Sequence, residues 1–141
     1  TKPDAPGRYA LEAQVGFLLR RAHQRHVAIF SLHVADLTPP QFAALVKLRD
    51  VGETSQTQLG ALVAMDGATI KGVIDRLKRR GLVELQPHAA DRRRLVVRLT
   101  GAGRRIVEAL IPAAERGTQE TLAPLTVSEA ATLAALLSRI A

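Results

Sequence analysis

Eleven basic side chains gathered between Lys71 and Arg105 are the densest chemistry in the sequence. Lys71, Arg76, Lys78, Arg79, Arg80, Arg92, Arg93, Arg94, Arg98, Arg104 and Arg105 are opposed only by Asp75, Glu84 and Asp91, so this segment carries +8. The whole chain carries +7, which leaves everything else close to neutral. One strongly basic segment on a neutral body suits a polyanion, nucleic acid first among them. A second set is His23, His26 and His33. Imidazoles can hydrogen-bond a carboxylate or a ring hydroxyl, and the i, i+3 pair His23 and His26 could grip one metal ion. His33 lies two turns beyond His26, about 10 Å along a helix axis, too far to join them. There are no cysteines, which removes disulfides, zinc–thiolate sites and thiol redox chemistry together. No Ser–His–Asp order, P-loop or Gly-rich dinucleotide motif is present, and the carboxylates are scattered. The residues speak for a binding protein, not an enzyme.

The elements that must position these groups follow from length and periodicity. At 141 residues and 47% hydrophobic, the chain suits one domain that buries a core without a disulfide or metal staple. Its longest stretch free of charged residues, Thr54–Met65, is twelve residues against the roughly 18 needed to span a bilayer. With no basic–apolar–small leader at the start, the expectation is a soluble protein of a bacterial or archaeal-type cytosol, with no membrane partner.

Residues 1–7, with Pro3, Pro6 and Gly7, read as a frayed tail. From Arg8 to about Ala35 apolar residues recur at helical spacing on two faces, which predicts one long helix packed against more than one partner. Thr38-Pro39-Pro40-Gln41 opens a second helix, and Ser55-Gln56-Thr57-Gln58 opens a short third, both with capping-box signatures. Asp66 caps a fourth helix that runs to about Arg80 and stops at Gly81. In it Ile70, Val73, Ile74 and Leu77 fall at i, i+3, i+4 and i+7, leaving Thr69, Lys71, Gly72, Asp75, Arg76 and Arg79 outward. Alternation then replaces the helical period: Val83 and Leu85, and Leu95, Val97 and Leu99, predict a two-stranded hairpin with a basic tip from Pro87 to Arg93. Thr100-Gly101 starts a fifth helix that Pro112 should kink one turn back before it resumes to Leu122. Thr126-Val127-Ser128-Glu129 opens the last. The fold class is mainly α (α+β), with about six helices and a two-stranded β-wing.

Two short capped helices joined by Ala64-Met65-Asp66-Gly67 fit a helix-turn-helix, whose second helix enters the DNA major groove. Short or polar side chains at its start, Ala68, Thr69 and Lys71, suit base reading, whereas Arg76, Arg79 and Arg80 lie where phosphate contact is expected. The basic hairpin that follows makes it a winged helix-turn-helix.

The stretch Ala68-Thr69-Ile70-Lys71-Gly72-Val73-Ile74-Asp75-Arg76-Leu77, followed by Arg80-Gly81-Leu82-Val83, resembles the recognition helix of the MarR regulators. Asp91-Arg92-Arg93, Leu99-Thr100-Gly101-Ala102-Gly103-Arg104 and Leu37-Thr38-Pro39-Pro40-Gln41-Phe42 add to the resemblance, which covers Arg8 to Ala141. It implies a homodimeric transcriptional regulator on a pseudo-palindromic operator of double-stranded DNA. Within a single domain of residues 1–141, residues 37–100 would form the DNA-binding lobe, and 8–36 with 101–141 the dimerisation region. By the family pattern Asp91 and Arg93 would pair to stiffen the wing, with Arg92 or Arg94 reaching the minor groove. Gly72 departs from the pattern, standing where many members carry a larger polar or basic side chain. It costs about 1 kcal/mol of helix propensity relative to alanine. Either the helix approaches DNA closely there or Gly72 reads no base.

Members of the family commonly release DNA when a phenolic or aromatic acid occupies a cleft lined by the first, second and fifth helices. The resemblance therefore implies a ligand set of Arg20, His23, His26, Phe30 and His33 with Phe42 and Leu45. No cofactor or resident metal is expected. A metal-responsive regulator and a ligand-independent architectural DNA binder remain the alternatives, while a cysteine-based peroxide sensor is excluded. Regulated genes would serve catabolism or efflux of the aromatic ligand.

Overall fold

The computed structural model describes residues 8–141, so the tail expected at residues 1–7 lies outside the described residues. Six helices and three strands follow in the order α1 (Val15–His33), α2 (Pro39–Val51), β1 (Glu53–Thr54), α3 (Gln56–Leu62), α4 (Gly67–Arg79), β2 (Val83–Pro87), β3 (Leu95–Leu99), α5 (Gly101–Leu122) and α6 (Val127–Ile140). Each cap is visible at its expected residue. The Thr38 hydroxyl accepts from the Gln41 amide and the Gln41 side chain accepts from the Thr38 amide. Thr126 and Glu129 repeat the reciprocal pair. At α3 only half of the box forms, because Gln58 Oε1 accepts the Thr54 hydroxyl at 2.8 Å instead.

Three expectations need correction. The first helix is not continuous from Arg8: Leu11–Ala13 form a single 3₁₀ turn, and Gln14 is extended before α1 begins. The Gln14 side chain donates to the Ala10 carbonyl and supplies locally what a helical turn would have supplied. Second, α5 does not break and resume at Pro112 but continues past it as one helix of 22 residues. The ring removes one N–H from the ladder, but neighbours on both sides hold the helix: Val107 and Ala113 are buried. Third, the hairpin has a third strand. β1 pairs with β3, Thr54 opposite Val97, giving the order β1-β3-β2. Two residues are too few to display a period, so nothing in the sequence announced it.

The core gathers Val34 and Leu37 from the α1–α2 corner, Leu45 and Leu48 from α2, Leu59 from α3, Ile70, Ile74 and Leu77 from α4, Val97 from β3 and Val107 from α5. It lies around α4, and the wing pair hangs from it, Val83 opposite Leu99 and Leu85 opposite Val97. Among the described residues no single helix is long and apolar enough to cross a membrane.

Where α4 turns into the wing, the backbone comes closest to itself. α4 ends at Arg79, and Gly81 adopts φ +72, a conformation open to glycine. Thr100 then ties the start of α5 to this corner: its hydroxyl donates to the Gly81 carbonyl at 2.6 Å, and its amide donates to the Leu82 carbonyl. Gly103 sits against the same carbonyl, so closely that a Cβ there would clash with the Leu82 oxygen. Gly103→Ala should therefore lower stability by at least about 1–3 kcal/mol, the usual cost of overpacking. Gly101→Ala, whose Cβ would meet only the flexible Arg105 guanidinium at 3.4 Å, should be close to neutral. Urea midpoints of the two variants check this; equal midpoints would refute the close approach.

Candidate nucleic-acid interface and ligand cleft

The direction of every outward group on α4 is set by its buried stripe. Ile70, Val73, Ile74 and Leu77 are all buried, together worth up to roughly 6–12 kcal/mol by transfer. Rotating the helix to hide any other face would forfeit that. Thr69, Lys71, Asp75, Arg76 and Arg79 are consequently exposed, and Gly72 is partly covered. Lys71 pairs with Asp75 at 3.0 Å across an exposed i, i+4 spacing. With the cation N-terminal, this is the weaker order of such a pair, worth no more than about 0.3 kcal/mol. Lys71 is easily given up to a stronger anion. Ala68, Thr69, Gly72 and Arg76 also line a shallow groove against Thr38, Pro40 and Gln41 at the start of α2.

At the wing the expected Asp91–Arg93 side-chain pair does not form. The Asp91 carboxylate instead accepts from the Arg93 backbone amide at 3.1 Å, closing a tight turn from within. His88 does the same on the other side, its Nδ1 accepting from the Ala90 amide. The bend is closed by the His88 amide on the Arg94 carbonyl at 2.7 Å and by the Arg94 amide on the Asp91 carbonyl. Arg92, Arg93 and Arg94 are left exposed, and among the described residues none of their guanidinium groups has an acceptor. Arg94 stands beside α3, in a groove with Gln56 and Thr57, away from the tip.

Arg80, the residue that caps the end of α4, differs from Arg76 and Arg79. Rather than pointing free, its guanidinium donates to the Asp36 carbonyl in the α1–α2 connection. Its sequence position groups it with the phosphate contacts, and only the fold reveals its partner, 44 residues earlier in the chain.

Of the seven residues expected around a ligand, His26, Phe30 and Phe42 stand together, His26 and Phe30 with ring centroids 6.3 Å apart, while the others lie elsewhere. Phe30 and Leu45 are in the core, with Phe42 edge-on to Phe30 at 5.8 Å between ring centroids. His26 bonds Thr121 at 2.9 Å and His33 bonds Glu120 at 3.0 Å, both on α5, where Arg25 also caps the Thr121 and Glu120 carbonyls. Arg20 lies beside the Phe17 ring. His23 faces a cleft of about 630 Å³ between α1 and the turn from α3 to α4. Val27, Ser31 and Ala35 share its wall, Asp36 to Gln41 form its floor, and Val63, Ala64 and Met65 of the helix-turn-helix turn close the far side. Helical spacing already put Val27 and Ser31 on the His23 face; the turn residues had no such signal. His23 and His26 have no third ligand beside them, for among the described residues no three His, Asp or Glu side chains stand together.

A separate apolar groove of about 620 Å³ runs between Val15, Leu18, Leu19 and Ala22 of α1 and Leu133, Leu136, Leu137 and Ile140 of α6. No residue of α6 is buried.

A turn between two capped helices, an outward basic face on the second and a basic hairpin immediately after it define a winged helix-turn-helix protein. The MarR family profile matches residues 35–94. The HTH-type transcriptional repressor NicR of Pseudomonas putida is 42% identical over 134 residues, spanning 94% of this chain and 85% of its own length. A probable transcriptional regulator from Pseudomonas aeruginosa superposes with a TM-score of 0.91 at 47% identity, covering 94% of this chain and 100% of the other. BpsR of Bordetella bronchiseptica, whose DNA binding is regulated by 6-hydroxynicotinic acid, superposes with a TM-score of 0.90 at 44% identity, covering 95% and 97%. The chain belongs to the MarR family, a family of transcriptional regulators and not of enzymes.

The start of α4 titrates. The Thr69 backbone amide donates to the Asp66 carboxylate at 2.8 Å and holds its pKa below the ordinary value. With the folded pKa depressed, the ionised cap stabilises the fold above the unfolded pKa, and this contribution is lost as pH falls through the folded pKa. Asp66→Asn keeps an oxygen for Thr69 but has no proton to bind. Between about pH 5 and pH 3 it should lose less thermal stability than the native protein, by circular dichroism melts. Parallel losses would contradict the cap's role.

Proposed function

We propose that this chain is a repressor that binds a pseudo-palindromic operator as a homodimer and releases it when a small aromatic acid or phenol fills the cleft beside α1. The observation that carries the DNA reading is the set of cations without protein partners. Arg76, Arg79, Arg92, Arg93 and Arg94 have no side-chain acceptor among the described residues, whereas the apolar side of α4 is buried. In this reading α4 enters the major groove with Ala68, Thr69 and Lys71 nearest the bases, and Gly72 lets the helix approach closely. Arg76 and Arg79 meet phosphates. The wing follows the duplex, with Arg92 and Arg93 nearer the minor groove than Arg94.

Dimerisation is supported by the apolar groove of α1 and α6, a face a soluble chain cannot leave bare. Residues 8–36 and 101–141 join the two copies, and residues 37–100 form the reading lobe. The ligand reading is supported by likeness to BpsR and by the donors around the cleft: His23, Ser31 and Thr38 for a carboxylate or hydroxyl, with Val27 and Met65 for a ring. The genes controlled serve catabolism or efflux of that ligand.

Gel shifts with a panel of hydroxybenzoates and pyridine carboxylates test release; no release by any of them sinks the sensor reading. Lys71→Ala should relax base preference. Arg93→Ala should weaken binding to all sequences and reduce the slope of log affinity against log salt by about 1. Neither change in gel shifts refutes the groove assignment, and a monomer by light scattering at micromolar concentration refutes the dimer.

A further inference from the structure

No residue of the recognition helix lines the cleft, but two of its walls connect to the two ends of that helix. On one side the cleft is closed by Ala64 and Met65, directly before Asp66, the residue that caps the start of α4. Ala64 holds φ 57, a left-handed conformation that a residue with a Cβ adopts under constraint from its surroundings. On the floor lies Asp36, whose carbonyl accepts the Arg80 guanidinium from the other end of α4. Thirteen residues of helix are thus pinned, fore and aft, to two walls of one cavity.

We propose that Arg80 is a positioning residue: its bond to the Asp36 carbonyl ties the end of the recognition helix to the cleft floor, so that an occupant of the cleft changes the set of α4 on DNA. The contrast with its neighbours carries this. Arg76 and Arg79 have no protein acceptor among the described residues, while Arg80 reaches across to the connection between α1 and α2. A residue meant only for phosphate would gain nothing from that bond. An occupant that displaces Asp36 or Met65 moves an anchor of α4, and α4 cannot keep both its buried stripe and its original direction. The inference rests on the ligand-cleft reading for its natural occupant, but the coupling itself does not need that occupant.

The test therefore fills the cleft with a side chain. Ser31→Trp projects an indole from α1 into the space, and operator affinity is measured by fluorescence anisotropy in the native and Arg80→Gln backgrounds. Filling the cleft should weaken binding about tenfold with Arg80 present, within the usual range of coupling between sites, and by less than about threefold without it. Equal losses in the two backgrounds, or no loss in either, overturn the proposal. Should circular dichroism find Ser31→Trp unfolded, Ala35→Phe fills the same wall and is read the same way. Arg80→Lys separates positioning from plain charge. If it restores both affinity and salt slope while the Trp effect stays equal in all backgrounds, Arg80 is a phosphate contact and the proposal fails. Calorimetry with 4-hydroxybenzoate and 6-hydroxynicotinic acid reports on the other reading: no binding to the native protein strikes the choice of ligand and leaves the double-variant comparison to decide the coupling.

Discussion

Burial of four aliphatic side chains on one side of α4 is the constraint from which the rest of the interface follows. Ile70, Val73, Ile74 and Leu77 pack among Leu45, Leu48 and Leu59, and that stripe fixes the rotation of the helix about its own axis. The exposed groups opposite contribute little to folding; the Lys71–Asp75 pair is worth a small fraction of one buried leucine. Stability and recognition are thereby separated on one element. The inner side decides where the helix sits, and the outer side is left free to be chosen for what it meets.

The wing follows the same division by other means. Its stem hangs from the core through Val83, Val97 and Leu99, but its tip buries nothing and holds its shape through backbone bonds: Asp91 and His88 each take an amide of the turn. Spending Asp91 on the backbone rather than on a guanidinium leaves all three arginines uncommitted. An arginine already paired would have to break that pair before meeting DNA, and here nothing has to be broken.

Helix type and the basic segment were legible in the sequence because each carries its signal locally. Capping residues mark five starts, a clean i, i+3, i+4, i+7 stripe marks α4, and alternation marks the hairpin. What was not legible depends on contacts distant along the chain. β1 is two residues that exist only because β3 lies beside them. Pro112 signals a break to any local rule, yet α5 continues past it to Leu122. His26 and His33 had the chemistry of ligand contacts, but α5 returns some 90 residues later and takes both rings. A residue type states what bonds a group can make; which partner arrives first is a matter of topology. The family resemblance supplied the architecture correctly but could not say which histidine would be left facing a cavity.

The joint at Gly81, Leu82, Thr100 and Gly103 has a mechanical consequence. It fastens the end of α4 and the base of the wing to the first turn of α5, a helix of 22 residues whose far end is held by Arg25, His26 and His33 of α1. Such a helix spans about 33 Å, so a tilt of about 6° at one end sweeps the other through roughly 3.4 Å, the height of one base pair. Because Gly103 lies directly against the Leu82 carbonyl, a tilt of α5 at this corner would carry Leu82 and the base of the wing with it.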